Sequence, residues 1–139
     1  TYNLYIVYIY RWGDSLQIII SNSIDTPIYE QIKNSIKESI LKGELIGGET
    51  LPSIRSLARD LRISNITTKR AYEELEHDGF IEAIPGKGYF VKKKSSEFLK
   101  EEVYTKIEEK LNEAITLANT YNIEYSKLKE MLDTLYKEE

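Results

Sequence analysis

The pattern of apolar and polar positions changes period several times along the chain, and each change predicts an element. Residues 17–21 contain Ile18-Ile19-Ile20, a short β-branched run suited to a strand. A helix start follows at Thr26-Pro27: Thr26 is expected to cap it, and Pro27, with no N–H to lose, to occupy the first helical position. Ile28, Ile32, Ile36 and Ile40 then recur every fourth residue, widened by Tyr29 and Leu41, with Lys33, Lys37 and Glu38 off the stripe. Gly43 ends this first helix. Leu51-Pro52-Ser53 opens a second, short helix with Ser53 as its N-cap and Ile54, Leu57, Ala58 and Leu61 inward. Ser64 is the expected cap of a third, over residues 65–77, with Thr68, Ala71, Tyr72 and Leu75 inward and Asn65, Ile66, Lys69, Arg70 and Glu73 outward. Asp78-Gly79 stops it. Two apolar runs then flank Pro85-Gly86-Lys87-Gly88 and predict a β-hairpin.

One helix, two helices separated by a tight turn, then a hairpin: this order predicts a winged helix-turn-helix, mainly α with a small β-hairpin wing. From Ser96 a new stripe begins, with Leu99, Val103, Ile107, Leu111, Ala114, Ile115 and Ala118 at spacings of three and four. Residues 119–122 interrupt it, Asn122 being suited to a left-handed helix end, and Tyr125, Leu128, Met131, Leu132 and Leu135 form a second stripe. Two helices this short cannot bury both stripes on their own, so a short C-terminal helical dimerisation segment is expected. Its contact residues are Leu99, Val103, Ile107, Leu111, Ile115, Tyr125, Leu128, Leu132 and Leu135. A ligand cavity is the rival use of these positions, disfavoured by the shortness of the segment.

Charge sharpens this division. The net charge of −4 over 139 residues speaks, at face value, against nucleic acid. Yet residues 52–94 hold nine basic against six acidic side chains, and residues 95–139 six against eleven. A mildly basic body is thus joined to an acidic tail, with a boundary at Lys94-Ser95-Ser96. The longest apolar run, of seven residues from Leu4 to Tyr10, is far short of the roughly 20 that a membrane span needs. With no Cys and a single His, no thiolate zinc site and no metal or cofactor site is expected, and the chain suits a reducing cytoplasm. His77 has no nucleophile beside it, so no catalytic residues are expected.

The first fifteen residues stand apart, with four of the eleven Tyr, the one Trp and no initiator Met. They lack the basic start and small-residue cleavage site of a signal peptide. Trp12-Gly13-Asp14 can be encoded by a purine-rich stretch like a ribosome-binding site, with Leu16 then a TTG start codon. Residues 1–15 are therefore expected to be non-native or upstream-encoded, residues 16–94 to form the winged helix-turn-helix domain, and residues 95–139 the dimerisation segment.

Four blocks carry a family resemblance: Pro27-Ile28-Tyr29-Glu30-Gln31-Ile32; Leu51-Pro52-Ser53-Ile54-Arg55-Ser56-Leu57-Ala58; Lys69-Arg70-Ala71-Tyr72-Glu73-Glu74-Leu75-Glu76; and Gly79-Phe80-Ile81 leading into Gly86-Lys87-Gly88-Tyr89-Phe90-Val91. In this order they resemble the GntR family of bacterial transcription regulators, and the short tail resembles its YtrA subfamily. Two departures stand out. Asn65-Ile66 replaces the usual Arg-Asn at the start of the recognition helix, and Gly47-Gly48 replaces the usual Pro-Gly before the second helix, a change expected to loosen the loop without altering a contact.

The resemblance implies a sequence-specific repressor acting as a homodimer on a palindromic double-stranded DNA operator, often one controlling a transporter operon. Any small-molecule effector is unidentified. Implied DNA contacts are Ser53, Arg55, Asn65, Ile66, Thr67, Lys69, Arg70, Gly86, Lys87 and Gly88. A helix entering the major groove by its N-terminal end allows Asn65 an adenine edge, Lys69 a guanine edge and Ile66 a thymine methyl, with Thr67 on phosphate. Competing readings remain: Asn65 and Thr67 as an ordinary polar helix start, Arg55 as a paired surface residue, Lys87 as a plain turn lysine. A winged helix that binds protein instead of DNA is the alternative function. An enzymatic reading, from related regulators that carry an aminotransferase-like domain, fails on the length that follows the wing.

Overall fold

The computed structural model describes residues 7–14 and 16–138. Strict alternation along β2 (Leu16–Ser21) buries Leu16, Ile18 and Ile20. Across from it runs β1 (Val7–Trp12), antiparallel, with Tyr10 opposite Ile18 and Trp12 opposite Leu16. Part of the segment expected to be non-native is thus paired into a hairpin, and Tyr10 is buried. Residues 1–6 and Ser15, also within that segment, lie outside the described residues.

Helix α1 (Ile28–Leu41) packs against β2 and α3 and buries Ile32, Ile36 and Ile40, while Ile28 and Leu41 are half-buried. Its start departs from the expected cap. Pro27 is itself the N-cap, and Thr26 makes no capping hydrogen bond. Gln31 secures the entry instead. Its side-chain amide donates to the carbonyls of Thr26 (2.8 Å) and Ser21 (2.9 Å), and its Oε1 accepts from the Ser21 N–H. A buried amide with both N–H groups and its oxygen engaged ties the β2–α1 corner by three hydrogen bonds, where a cap would bind one orphan N–H.

Helices α2 (Ile54–Leu61) and α3 (Asn65–His77) follow, with Leu57, Ala58 and Leu61 from one and Thr68, Ala71, Tyr72 and Leu75 from the other buried. Each fully buried Leu, Ile or Phe side chain contributes about 1.5–3 kcal/mol, and Leu57, Leu61, Leu75 and Phe80 are of this kind. The wing is the antiparallel pair β3 (Ile81–Ile84) and β4 (Gly88–Val91). Its base is broadened by Glu49-Thr50-Leu51: Leu51 N–H donates to the Tyr89 carbonyl, Val91 N–H to that of Glu49, and Thr50 bridges Phe90. Gly47 has a packing reason that the loosened-loop expectation missed, since a Cβ there would stand 2.7 Å from Lys93 Cγ and 2.9 Å from its Cα.

The chain divides into two compact units, Thr1–Ser96 and Glu97–Glu139. In the second, α4 (Ser96–Thr120) and α5 (Tyr125–Glu138) are joined by a turn in which Asn122 takes φ 56° and Ile123 N–H donates to the Ala118 carbonyl. Ala118 is buried, Leu99 and Leu128 are half-buried, and Val103, Ile107, Leu111, Ile115, Tyr125, Leu132 and Leu135 are exposed. Leu117, Tyr121, Ile123, Leu128 and Met131 line an open apolar recess in this unit. Among the described residues no helix is long and apolar enough to cross a membrane, and no His, Cys, Asp and Glu cluster is placed to hold a metal.

Candidate nucleic-acid interface

Two serines build the ends of α2 and α3. Ser53 Oγ accepts from the Ser56 N–H at 3.0 Å, and Ser64 Oγ from the Thr67 N–H at 3.1 Å, so each cap satisfies one orphan donor. The first turns of both helices contain no acidic residue, which leaves both positive helix ends uncompensated by the protein. Arg55, in the first turn of α2, is exposed and makes no ion pair among the described residues, although it opposes the dipole there. Asn65 and Ile66 are likewise exposed at the start of α3. Thr67 differs: it is half-buried, and its hydroxyl is 2.8 Å from Ser64 Oγ, so part of its hydrogen-bonding capacity is spent locally.

The two basic residues further along α3 have partners. Lys69 pairs with Glu73 at 3.6 Å, a loose and exposed contact of small worth. Arg70 is held more closely, its Nε 3.2 Å from Glu74 and its guanidinium 3.8 Å from the centre of the Tyr29 ring. Glu74 also takes Lys33 Nζ at 3.2 Å, and Lys33 reaches Asp78 at 3.3 Å. Burial alone would lower the Lys33 pKa, but hydrogen bonds to Glu74 and Asp78 and their charges outweigh it and raise the pKa above its usual value. A belt of charge and ring contacts thus ties α1 to α3 beneath the outward face.

At the wing, Gly86 and Gly88 have φ of 76° and 105°, left-handed values that a side chain would strain, and Lys87 N–H closes the turn onto the Ile84 carbonyl at 2.9 Å. Lys87 is exposed and makes no ion pair among the described residues. Glu76, near the end of α3, accepts from the Ala83 N–H at 2.9 Å and anchors the wing to the helix.

Sequence reasoning missed the contacts that position these groups: Tyr29 on Arg70, the Lys33 pairs, Gln31, and the Trp12 indole N–H donating to the Thr50 carbonyl at 3.0 Å. Gln31 was detectable, because it is polar within the buried side of an apolar stripe. The others join residues about forty positions apart and leave no local signal.

The family model for bacterial regulatory proteins of the gntR family matches residues 28–91, from α1 to the end of the wing. The HTH-type transcriptional repressor YtrA of Bacillus subtilis is 39% identical over 107 residues, which cover 77% of this chain and 82% of that one. A crystal structure of a transcriptional regulator from Oenococcus oeni is 25% identical with a TM-score of 0.71, covering 84% of this chain and 97% of its own. YtrA from Sulfolobus acidocaldarius, described as a GntR-family transcription factor, is 40% identical with a TM-score of 0.52 over 65% of this chain and 96% of that one. With the helices, caps and wing in the order just described, this chain belongs to the GntR family of DNA-binding transcription regulators, on its YtrA-like side.

Proposed function

We propose that the chain is a homodimeric repressor of a two-fold symmetric operator, with a transporter operon as its target. The observation that carries the DNA-reading part is that the first turns of α2 and of α3 are both free of acidic residues, with Arg55 and Asn65 exposed there and without a partner among the described residues. A helix N-terminus free of carboxylates favours phosphate, and Arg55 adds a cation beside it. Asn65 and Lys69 reach base edges from the first two turns of α3, Ser53, Thr67 and Arg70 fix register on the backbone, and Lys87 follows the groove from between Gly86 and Gly88. Lys69 exchanges its weak Glu73 pair for the DNA edge at little cost.

The exposed apolar faces of α4 and α5 support a dimer through the tail. Two copies place their recognition helices about 34–36 Å apart, one turn of DNA. The experiment is an electrophoretic shift on duplex recovered by selection with the full chain. Arg55→Ala and Lys69→Ala should each weaken binding while light scattering still reports a dimer. Arg55→Ala should also flatten the dependence on salt, by about one in the log–log slope. Unchanged affinity in both variants would remove the proposed reading surface.

A further inference from the structure

Ile66 is the most exposed large apolar side chain among the described residues, at 81%. A single exposed Ile is unremarkable on most surfaces. Here it is the second residue of α3, on the side away from the buried Thr68, Ala71, Tyr72 and Leu75. It caps nothing, packs on nothing in the core, and as a β-branched residue does little for the helix that begins there. Its helical neighbours three and four positions on are Lys69 and Arg70, and Asn65 and Thr67 flank it, so the apolar spot is ringed by polar groups. A ring of hydrogen-bonding groups around one branched aliphatic is the pattern of a surface that meets a mostly polar partner with one apolar feature. The major-groove edge of DNA has such a feature: the C5-methyl group of a pyrimidine.

We infer that Ile66 is a specificity-determining residue that packs on a pyrimidine C5-methyl group in each half-site of the operator. The inference rests on the DNA-reading proposal above and adds what this position selects. The chemistry is shared by thymine and 5-methylcytosine, which differ on the rest of their edge but carry the same methyl. Removing one methyl from a contact buried against Ile66 should weaken binding about fourfold per half-site, the worth of one buried carbon.

The test uses the full chain and a duplex recovered by selection from random-sequence DNA. Each thymine is replaced in turn by deoxyuridine, which removes only the methyl, and in a second arm each cytosine is replaced by 5-methylcytosine. One position per half-site should respond: about fourfold weaker without the thymine methyl, or about fourfold tighter with the added cytosine methyl. The arm that responds identifies the base. Ile66→Ala should bind the unmodified duplex more weakly and lose the response at that position, whereas Asn65→Ala should bind more weakly and keep it. Ile66 packs on nothing in the core, so its replacement leaves the fold intact, which circular dichroism checks. No response to either modification in the parent chain, or the same response in Ile66→Ala, overturns the inference while leaving DNA binding in place. A chain that retains no duplex in the selection overturns the DNA-reading proposal itself, and this one with it.

Discussion

The Tyr72 hydroxyl donates a buried 2.6 Å hydrogen bond to the Pro52 carbonyl, twenty residues upstream. Pro52 immediately precedes the Ser53 cap of α2, so this bond ties the middle of α3 to the start of α2. The Tyr72 ring also meets Tyr89 of the wing edge-on, with centroids 4.9 Å apart. One side chain thereby holds three elements that carry proposed DNA contacts. Tyr72→Phe keeps the ring but leaves the buried Pro52 carbonyl without this donor, and should cost about 1–3 kcal/mol. Urea denaturation at neutral pH measures the loss. A variant as stable as the parent would show that the bond contributes nothing net.

Alkaline pH should act through the same residue. Burial raises the Tyr72 pKa far above 10.0, and the negative charge that Tyr10 and Tyr89 take on when they ionise adds to the rise. Burial also raises Tyr10, with the Asp60 charge adding to it, and raises Tyr89, with Glu76 and Glu73 adding. A phenol whose pKa is raised on folding keeps its proton above pH 10 while the unfolded chain gives it up. Stability is therefore intact below about pH 10 and falls as pH rises through that value, by at most about 1.4 kcal/mol per pH unit for each such group. Lys33, raised in the same direction, adds to the slope. Urea midpoints should be flat from about pH 7 to 9 and drop beyond, with a shallower drop in Tyr72→Phe.

The parts of this design that are local chemistry were legible in the sequence. Ser53 and Ser64 announce their helices because a hydroxyl cap reaches only two or three residues ahead, and Thr68, Ala71, Tyr72 and Leu75 declare a buried face by spacing alone. What the spacing hid was pairing between distant elements. Arg70 has an outward position on α3, yet Tyr29 of α1 lies under its guanidinium and Glu74 beside it. Thr26 has the right chemistry for a cap, but Gln31 competes for the same corner with three hydrogen bonds, which no nearest-neighbour rule anticipates.

Breaking the α1–α3 belt gives a further prediction. Lys33 is four-fifths buried and shared between Glu74 and Asp78. Lys33→Met keeps the aliphatic stem packed but removes the cation that Glu74 and Asp78 share, leaving Glu74 its Arg70 pair. The expected loss is about 1 kcal/mol, near the top of the range for partly exposed pairs. Thermal unfolding should shift down by about 4–8 °C for a domain of this size. High salt should narrow the gap between variant and parent, since it screens the pairs that the variant lacks.

The Trp12 indole and the Thr50 carbonyl connect the N-terminal hairpin to the base of the wing, because Thr50 itself bridges Phe90. Trp12→Phe removes the N–H and keeps most of the ring, and should cost about 0.5–1.5 kcal/mol. The more telling readout is amide exchange at Leu51 and Val91, whose N–H groups pair that base with β4. Both should exchange faster in the variant while α1 amides are unchanged. Removing residues 1–15 should cost more, because Tyr10 is buried and its share of the core goes with it.

In the proposed homodimer the tail decides whether two reading heads act together. Ile107 and Leu111 are 50% and 44% exposed on α4, one turn apart, and α5 leaves Leu132 and Leu135 exposed as well. A two-helix unit that keeps this much apolar surface in water gains by covering it with a second copy. Ile107→Glu combined with Leu111→Glu places two carboxylates on that surface without touching the winged helix. Light scattering should then report a monomer. The monomer should keep its affinity for a single half-site but lose the gain from the linked second one, a drop of about 10²–10⁴ on the full operator. Fully retained operator affinity in a proven monomer would mean that one head suffices, and a dimer that survives both substitutions would move the dimer contact away from this face of α4.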